Sequence, residues 1–497
     1  MATSNCLYHS CRLFTSLRIT RQRKDFFNIS QTKYFSYSYS TMFRSSEMQD
    51  QDIALLQVNR KRLMDELHHT CQWGIGERWG DGSNETGMRR LSLTDDDKSV
   101  RDWFIKTTQG LGCTTTIDTM GNIFAVRPGI KKGAPTYAGS HLDTQPQGGR
   151  YDGILGVQAG IEMLKILNEN RVETEYPVGV VNWTNEEGAR FPLSVHASAV
   201  WADKLPLSQA HGLASIIPPN KPTPFIDELS RIGYHGPTPC SYTANPMAAH
   251  FELHIEQGPQ LEATGRKVGI VTGAQAYRWY TVSVSGKSCH TGTTPFEHRA
   301  DPLLIAAKCM VQAQASAHIK KGALASTGVV KVAPGSVNTV PDEVTFSLDL
   351  RAQSDGVLDD LEKELKTVFK QLADGDDSCN TESFWAGNRK PCTVEWRTDS
   401  VSKAVNFNES CIECVAKSAR SVLVLAGKDD TSAMRLVSGA GHDSVMTSHR
   451  VPTAMIFVPS REGISHNPRE FTSEEDCAIG AEVLTQSVLR YDRLRVQ

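Results

Sequence analysis

Three neighbouring stretches constrain the fold more than anything else in the chain: "APTYAGSHLDT" (134–144), "DGILGVQAGIEMLKILNEN" (152–170) and "EYPVGVVNWTNEEGARF" (175–191). The first and third carry short apolar runs bounded by turn residues and read as buried strands. Between them apolar residues recur at helical spacing. Strand, helix and strand in that order predict an α/β fold, a mostly parallel sheet with helices on both faces. In such sheets ligands bind beyond the carboxyl ends of the strands. His141, Asp143 and the pair Glu186–Glu187 all fall there.

The chain is far longer than the roughly 150 residues of one domain, so at least two are expected. Near residue 275 the pattern changes. "RWYTVSVSGKSCHTG" alternates as a half-exposed strand does, "DPLLIAAKCMVQAQASAHIKK" reads as an amphipathic helix, and two strands and another helix follow. These predict an inserted α+β domain over 277–402, dividing a main domain into 51–276 and 403–497. The net charge of −3 gives no electrostatic reason to expect nucleic acid. No apolar run reaches the roughly 18 residues of a membrane helix. Cysteines are scattered without a framework spacing, which suits reduced thiols, and the "CIEC" pair, Cys411 and Cys414, sits in a helix-like run that predicts core packing. The first fifty residues are rich in Arg, Ser and aromatics, and their first acid is Asp25. They read as disordered and as a mitochondrial transit segment; without that role the protein is expected in the cytoplasm.

Imidazoles and carboxylates at strand ends suit zinc and other divalent transition metals. The candidates are His141, Asp152, Glu187, His254 in "HFELHIEQGP" and His466 in "GISHNPREF". Asp143, two residues beyond His141 on a strand, is expected to point the same way and to accept the other ring N–H of that histidine. Asp152 can give one oxygen to each of two ions. In the Glu186–Glu187 pair, one neighbour can ligate while the other moves a proton.

The motifs "GSHLDTQP", "YDGILGV", "NEEGARF", "HFELHIEQGP", "HTGTTP", "SVNTVPDEVTFSLDLR", "GAGHDS" and "SHNPREF" occur in an order that resembles two-zinc amidohydrolases acting on N-carbamoyl compounds. These belong to the aminoacylase–carboxypeptidase superfamily, and the likeness is strongest to its β-alanine synthase (β-ureidopropionase) and N-carbamoyl-L-amino-acid hydrolase group. It runs from about residue 70 to the C-terminus. The resemblance implies two Zn2+ per subunit, with Mn2+, Co2+ or Ni2+ as alternatives. Asp152 would bridge, His141 and Glu187 would hold separate ions, His254 and His466 would complete the sets, and Glu186 would be general base and then acid. It also implies substrate contacts from Gln257, His290, Asn338, Arg351 and His442, and a homodimer in which His290 reaches the other subunit's site. The activity implied is hydrolysis of N-carbamoyl-β-alanine to β-alanine, CO2 and NH3, the last step of pyrimidine base breakdown. The alternatives are an N-carbamoyl-L-amino-acid hydrolase, an allantoate or ureidoglycolate amidohydrolase and, from another class, a non-catalytic dimeric binding protein. Cys289 and Thr291 beside the motif histidine, and the long segment 374–400, depart from the usual pattern.

Overall fold

In the computed structural model the described residues are 43–375 and 390–496. The basic leader up to residue 42, on which the mitochondrial reading rests, and most of the long segment before Lys390 lie outside them. Among the described residues no helix is long and apolar enough to cross a membrane.

The central sheet runs, in spatial order, Val405–Asn406, Val268–Ala274, Thr453–Val458, Ala249–Ile255, Thr136–His141, Val178–Trp183, Ile123–Arg127 and Thr114–Ile117, with Ala433–Ser438 also beside Val268–Ala274. The α/β class holds, and the parallel register expected from 134–191 is found at the centre, from Thr453–Val458 to Val178–Trp183. Toward the edges the sheet turns antiparallel. Every residue of Ala249–Ile255 is buried, so both faces are covered. On one face Phe251 meets Tyr491 of the helix Glu474–Leu494, and the helix Ile154–Glu169 packs alongside. On the other, His250 and Trp183 pack together, and Trp183 meets Trp201 of the short helix His196–Trp201.

A second, antiparallel sheet orders Ala323–Ser326, Glu343–Ala352, Ala276–Ser285 and Thr393–Ser402, with Val330–Ala333 also on Glu343–Ala352. Burial alternates strictly along Glu343–Ala352. Its inward residues share a separate apolar core with the helices Pro302–Ile319 and Asp355–Asp374. The outward residues, Tyr277 opposite Arg351 and Trp279 opposite Asp349, form a polar and aromatic face. The chain enters this lobe directly from Val268–Ala274, with only Gln275 between, and returns by Thr393–Ser402 into Val405–Asn406. The two crossings lie side by side, Tyr277 paired with Ser402 and Ala274 with Val405.

The fold includes residues ahead of the expected boundary at residue 50. Phe43–Arg44 pairs in parallel with Val172–Glu173, and Ser45 Oγ donates to Asp492 at 2.5 Å. Met48 then enters the main core, which a leader excluded from the fold would not do. Cys411 and Cys414 are buried thiols on the helix Glu409–Leu425, the core placement their spacing predicts.

Phe251 is fully buried between sheet and helix. Phe251→Ala is expected to cost about 3–5 kcal/mol, read as a lowered midpoint in urea unfolding.

Candidate metal centre

The carboxyl ends of four parallel strands, Thr136–His141, Val178–Trp183, Ala249–Ile255 and Thr453–Val458, bring the donors together, and Asp152 sits at their focus. It is carried there by the turn that opens the helix Ile154–Glu169. Gly153 makes that turn possible: its φ is +67°, and a Cβ there would stand 2.3 Å from Cε1 of the His141 ring. Asp152 Oδ1 faces His141 Nε2 at 3.6 Å and His254 Nε2 at 3.0 Å. Its Oδ2 faces His466 Nε2 at 3.4 Å, and the same nitrogen lies 3.4 Å from Glu187 Oε2. Glu186 Oε2 approaches His141 Nε2 at 3.6 Å. The two neighbours therefore diverge, one to each side of Asp152. Asn185, at φ +57°, sets up the turn before them. Gln257 and His466 also hold positive φ, strain of the kind that concentrates at functional sites.

Asp143 has a different part from the one its spacing predicts. The strand ends at His141, so alternation no longer fixes where residue 143 points. His141 Nδ1 donates to the backbone carbonyl of Asp143 at 2.9 Å. The Asp143 carboxylate instead accepts the N–H groups of Glu186 (3.3 Å) and Glu187 (3.4 Å), and so orients the acidic turn.

These donors fit a divalent cation on the geometry of the rings alone. His141 and His254 each give the Nδ1 proton to a backbone carbonyl, Asp143 O and Ile255 O, both at 2.9 Å. A neutral ring then presents an Nε2 lone pair to the lone pairs of Asp152. Such a contact needs a proton or a cation between. Ligand atoms within 4.8 Å of one another form the triads His141–Asp152–His254 and Asp152–Glu187–His466, which share Asp152. A third triad, Glu252–His254–His442, reuses His254, and there Glu252 already accepts hydrogen bonds from Ser140 and Ser444.

The charges tell the same story. Burial alone would raise the Asp152 carboxyl, but His254, His141 and His466 hold it well below its ordinary range. Burial would lower His141, yet Glu186, Asp152 and Asp143 outweigh it and hold that ring well above the usual value. Burial and then Asp152 push Glu187 up to about 7, and the hydrogen bond with Asp152 takes His466 up to about 9. Burial also drives Glu186 well above the carboxylate range.

Residues 137–490 match the model of peptidase family M20/M25/M40. The chain belongs to that family. An N-carbamoyl-L-amino-acid amidohydrolase of Rhizobium meliloti is 36% identical over 438 residues, covering 87% of this chain and 96% of the relative. An allantoate amidohydrolase of Escherichia coli K12 is 31% identical over 408 residues, covering 80% and 91%. A crystal structure of a hydantoinase/carbamoylase family amidase from Burkholderia multivorans superposes with a TM-score of 0.77 at 35% identity, covering 88% of this chain and 99% of that one.

In this M20-family chain the donors border a cavity of about 240 Å³, which Gln257, Arg351 and His442 also line. Gln257 Nε2 donates to Asp152 Oδ2 (2.8 Å), while its Oε1 is buried without a partner among the described residues. Burial and then His254 lower the His442 ring to about 3, so it is neutral. Arg351 gives its Nε and Nη2 to Asp349 (3.1 and 2.9 Å) and Nη1 to Gly439 O (2.9 Å). One N–H on Nη1 and one on Nη2 stay uncommitted among the described residues. His290 and Asn338 do not line the cavity. They are exposed neighbours on the second lobe, where Thr291 N–H donates to Asn338 O at 3.0 Å.

Sequence reasoning missed Tyr277 and Trp279, which line the cavity beside Arg351. The signal was available: both alternate along "AYRWYTVSVS" on the outward face. It also missed Asp349, two residues before Arg351, and Glu470, four after His466.

Gly153→Ala is expected to displace the His141 ring and weaken metal binding about tenfold or more, measured by titrating apo-protein with Zn2+. In the ion-free protein a cation must displace the proton His466 keeps up to about 9 and the one Glu187 keeps up to about 7. Metal affinity is therefore expected to climb as pH rises through that window, with protons released on binding. Calorimetry in buffers of different protonation enthalpy reads both.

Proposed function

We propose that this amidohydrolase hydrolyses the carbamoyl C–N bond of an N-carbamoyl amino acid, with N-carbamoyl-β-alanine the favoured substrate, as a β-ureidopropionase does. The observation that carries the reading is the sharing of Asp152 between two donor triads, with Glu186 alongside and Arg351 on the same cavity. His141, Asp152 and His254 would hold one Zn2+, and Asp152, Glu187 and His466 a second. When bound, such a pair polarises a carbonyl and acidifies water.

Glu186 takes the proton of the attacking water and returns it to the departing nitrogen. Ammonia leaves, and the remaining carbamate releases CO2 and the free amino acid. Arg351, its side edge held by Asp349, offers two N–H groups as a fork for the substrate carboxylate. The buried Oε1 of Gln257, fixed because its Nε2 is committed, accepts a ureido N–H.

The lobe 277–402 is, on this reading, a lid and dimerisation domain. Its outer surface exposes Val311 (62%), Ile319 (78%) and Leu324 (60%), apolar positions that a partner subunit would cover. His290 and Asn338, remote from their own cavity, would then donate to the oxyanion in the partner's site.

Three outcomes test this. Glu186→Gln is expected to keep its metal and lose turnover by about 10²–10⁴-fold; unchanged turnover would refute the base assignment. On a panel of N-carbamoyl-β-alanine, N-carbamoyl-L-amino acids, allantoate and ureidoglycolate, ammonia release is expected to be fastest with the first, and a clear preference for another member reassigns the substrate. Mixing Glu186→Gln with His290→Ala protein, each inactive alone, is expected to restore activity, because a mixed dimer holds one intact site.

A further inference from the structure

We propose that Glu470 is the positioning residue that fixes His466 against Asp152, and so sets the affinity of one metal position without ligating it; the inference rests on the two-ion reading above. Glu470 is 3% exposed. Its Oε1 accepts both the Tyr151 and the Asp152 backbone N–H at 3.0 Å. The chain passes so close that a Cβ on Gly149 would stand 2.1 Å from that oxygen. Its Oε2 lies 3.0 Å from the hydroxyl of Ser465, the residue before His466, and that hydroxyl is also 3.1 Å from Asp152 Oδ2. One carboxylate thus grips the loop that ends in Asp152 and the loop that carries His466.

Apart from the shared Asp152, the other donors are held without it. His141 and His254 are anchored through Nδ1 to backbone carbonyls. Glu187 accepts from Gln145 N (3.2 Å) and Gln145 Nε2 (2.8 Å). The His466 ring has no such carbonyl among the described residues, its side chain is 49% exposed, and its φ is +53°. Its aim therefore depends on where its loop is tied, and the tie runs through Ser465 and Glu470. Partners behind a ligand typically change metal affinity by about 10–100-fold. Here the effect falls on one position of two.

The test titrates metal-free full-length protein with Co2+ and follows its d–d absorption, which reports each ion as it binds and needs no turnover. Wild-type protein is expected to take up two equivalents. Glu470→Ala is expected to bind one ion with near-normal affinity and the second at least about tenfold more weakly. Glu470→Gln should stay within a few-fold of wild type, because its amide oxygen still accepts from residues 151 and 152 and its NH2 can donate to Ser465. Ser465→Ala, which cuts only the His466 side, should show the same selective loss even if Glu470→Ala fails to fold. Equal weakening of both ions would mean that Glu470 merely supports the fold, and an unchanged second affinity would also overturn the proposal. A wild-type chain taking up fewer than two equivalents would sink the two-ion reading, and this inference with it.

Discussion

The structure is organised around one buried carboxylate, that of Asp152. Asp152 meets imidazole nitrogens on both its oxygens, and two of those rings have already given their other proton to the backbone. Buried carboxylates and neutral imidazoles cannot hold such an arrangement alone. The fold holds the groups together with apolar helices on one face of a sheet and aromatic packing on the other, and a proton or a cation between the facing lone pairs is what the arrangement calls for. Positive φ at Asn185, Gln257 and His466 belongs to the same account, since strain of that kind persists only where the surroundings over-determine it.

Much of this was legible in the sequence. The strand–helix–strand reading of 134–191 located the parallel centre of the sheet because apolar runs and helical periodicity are local signals. Six residues, His141, Asp152, Glu186, Glu187, His254 and His466, meet in space because each lies at or just beyond the carboxyl end of a strand at the same end of that sheet. The antiparallel edges could not be read, since pairing direction depends on partners distant in the chain.

What failed did so for local geometric reasons. Strand alternation misplaces Asp143 because the strand stops at His141, two residues before it. Composition places the leader's end at residue 50, whereas Ser45 is held by Asp492, hundreds of positions away, and Met48 is buried in the main core. Glu470 and Asp349 look like ordinary charges in the sequence. Only burial in one case and a bidentate contact with Arg351 in the other mark them out.

The second lobe is joined to the rest by two strands that run side by side, paired at Tyr277–Ser402 and Ala274–Val405. A ribbon of two hydrogen-bonded strands bends readily across its plane but resists stretching and shear. A bend of that ribbon would therefore be the easiest displacement of the lobe. It would carry Arg351 with it, and the one hydrogen bond from Arg351 Nη1 to Gly439 O (2.9 Å) is what then sets the spacing between the fork and the donors around Asp152.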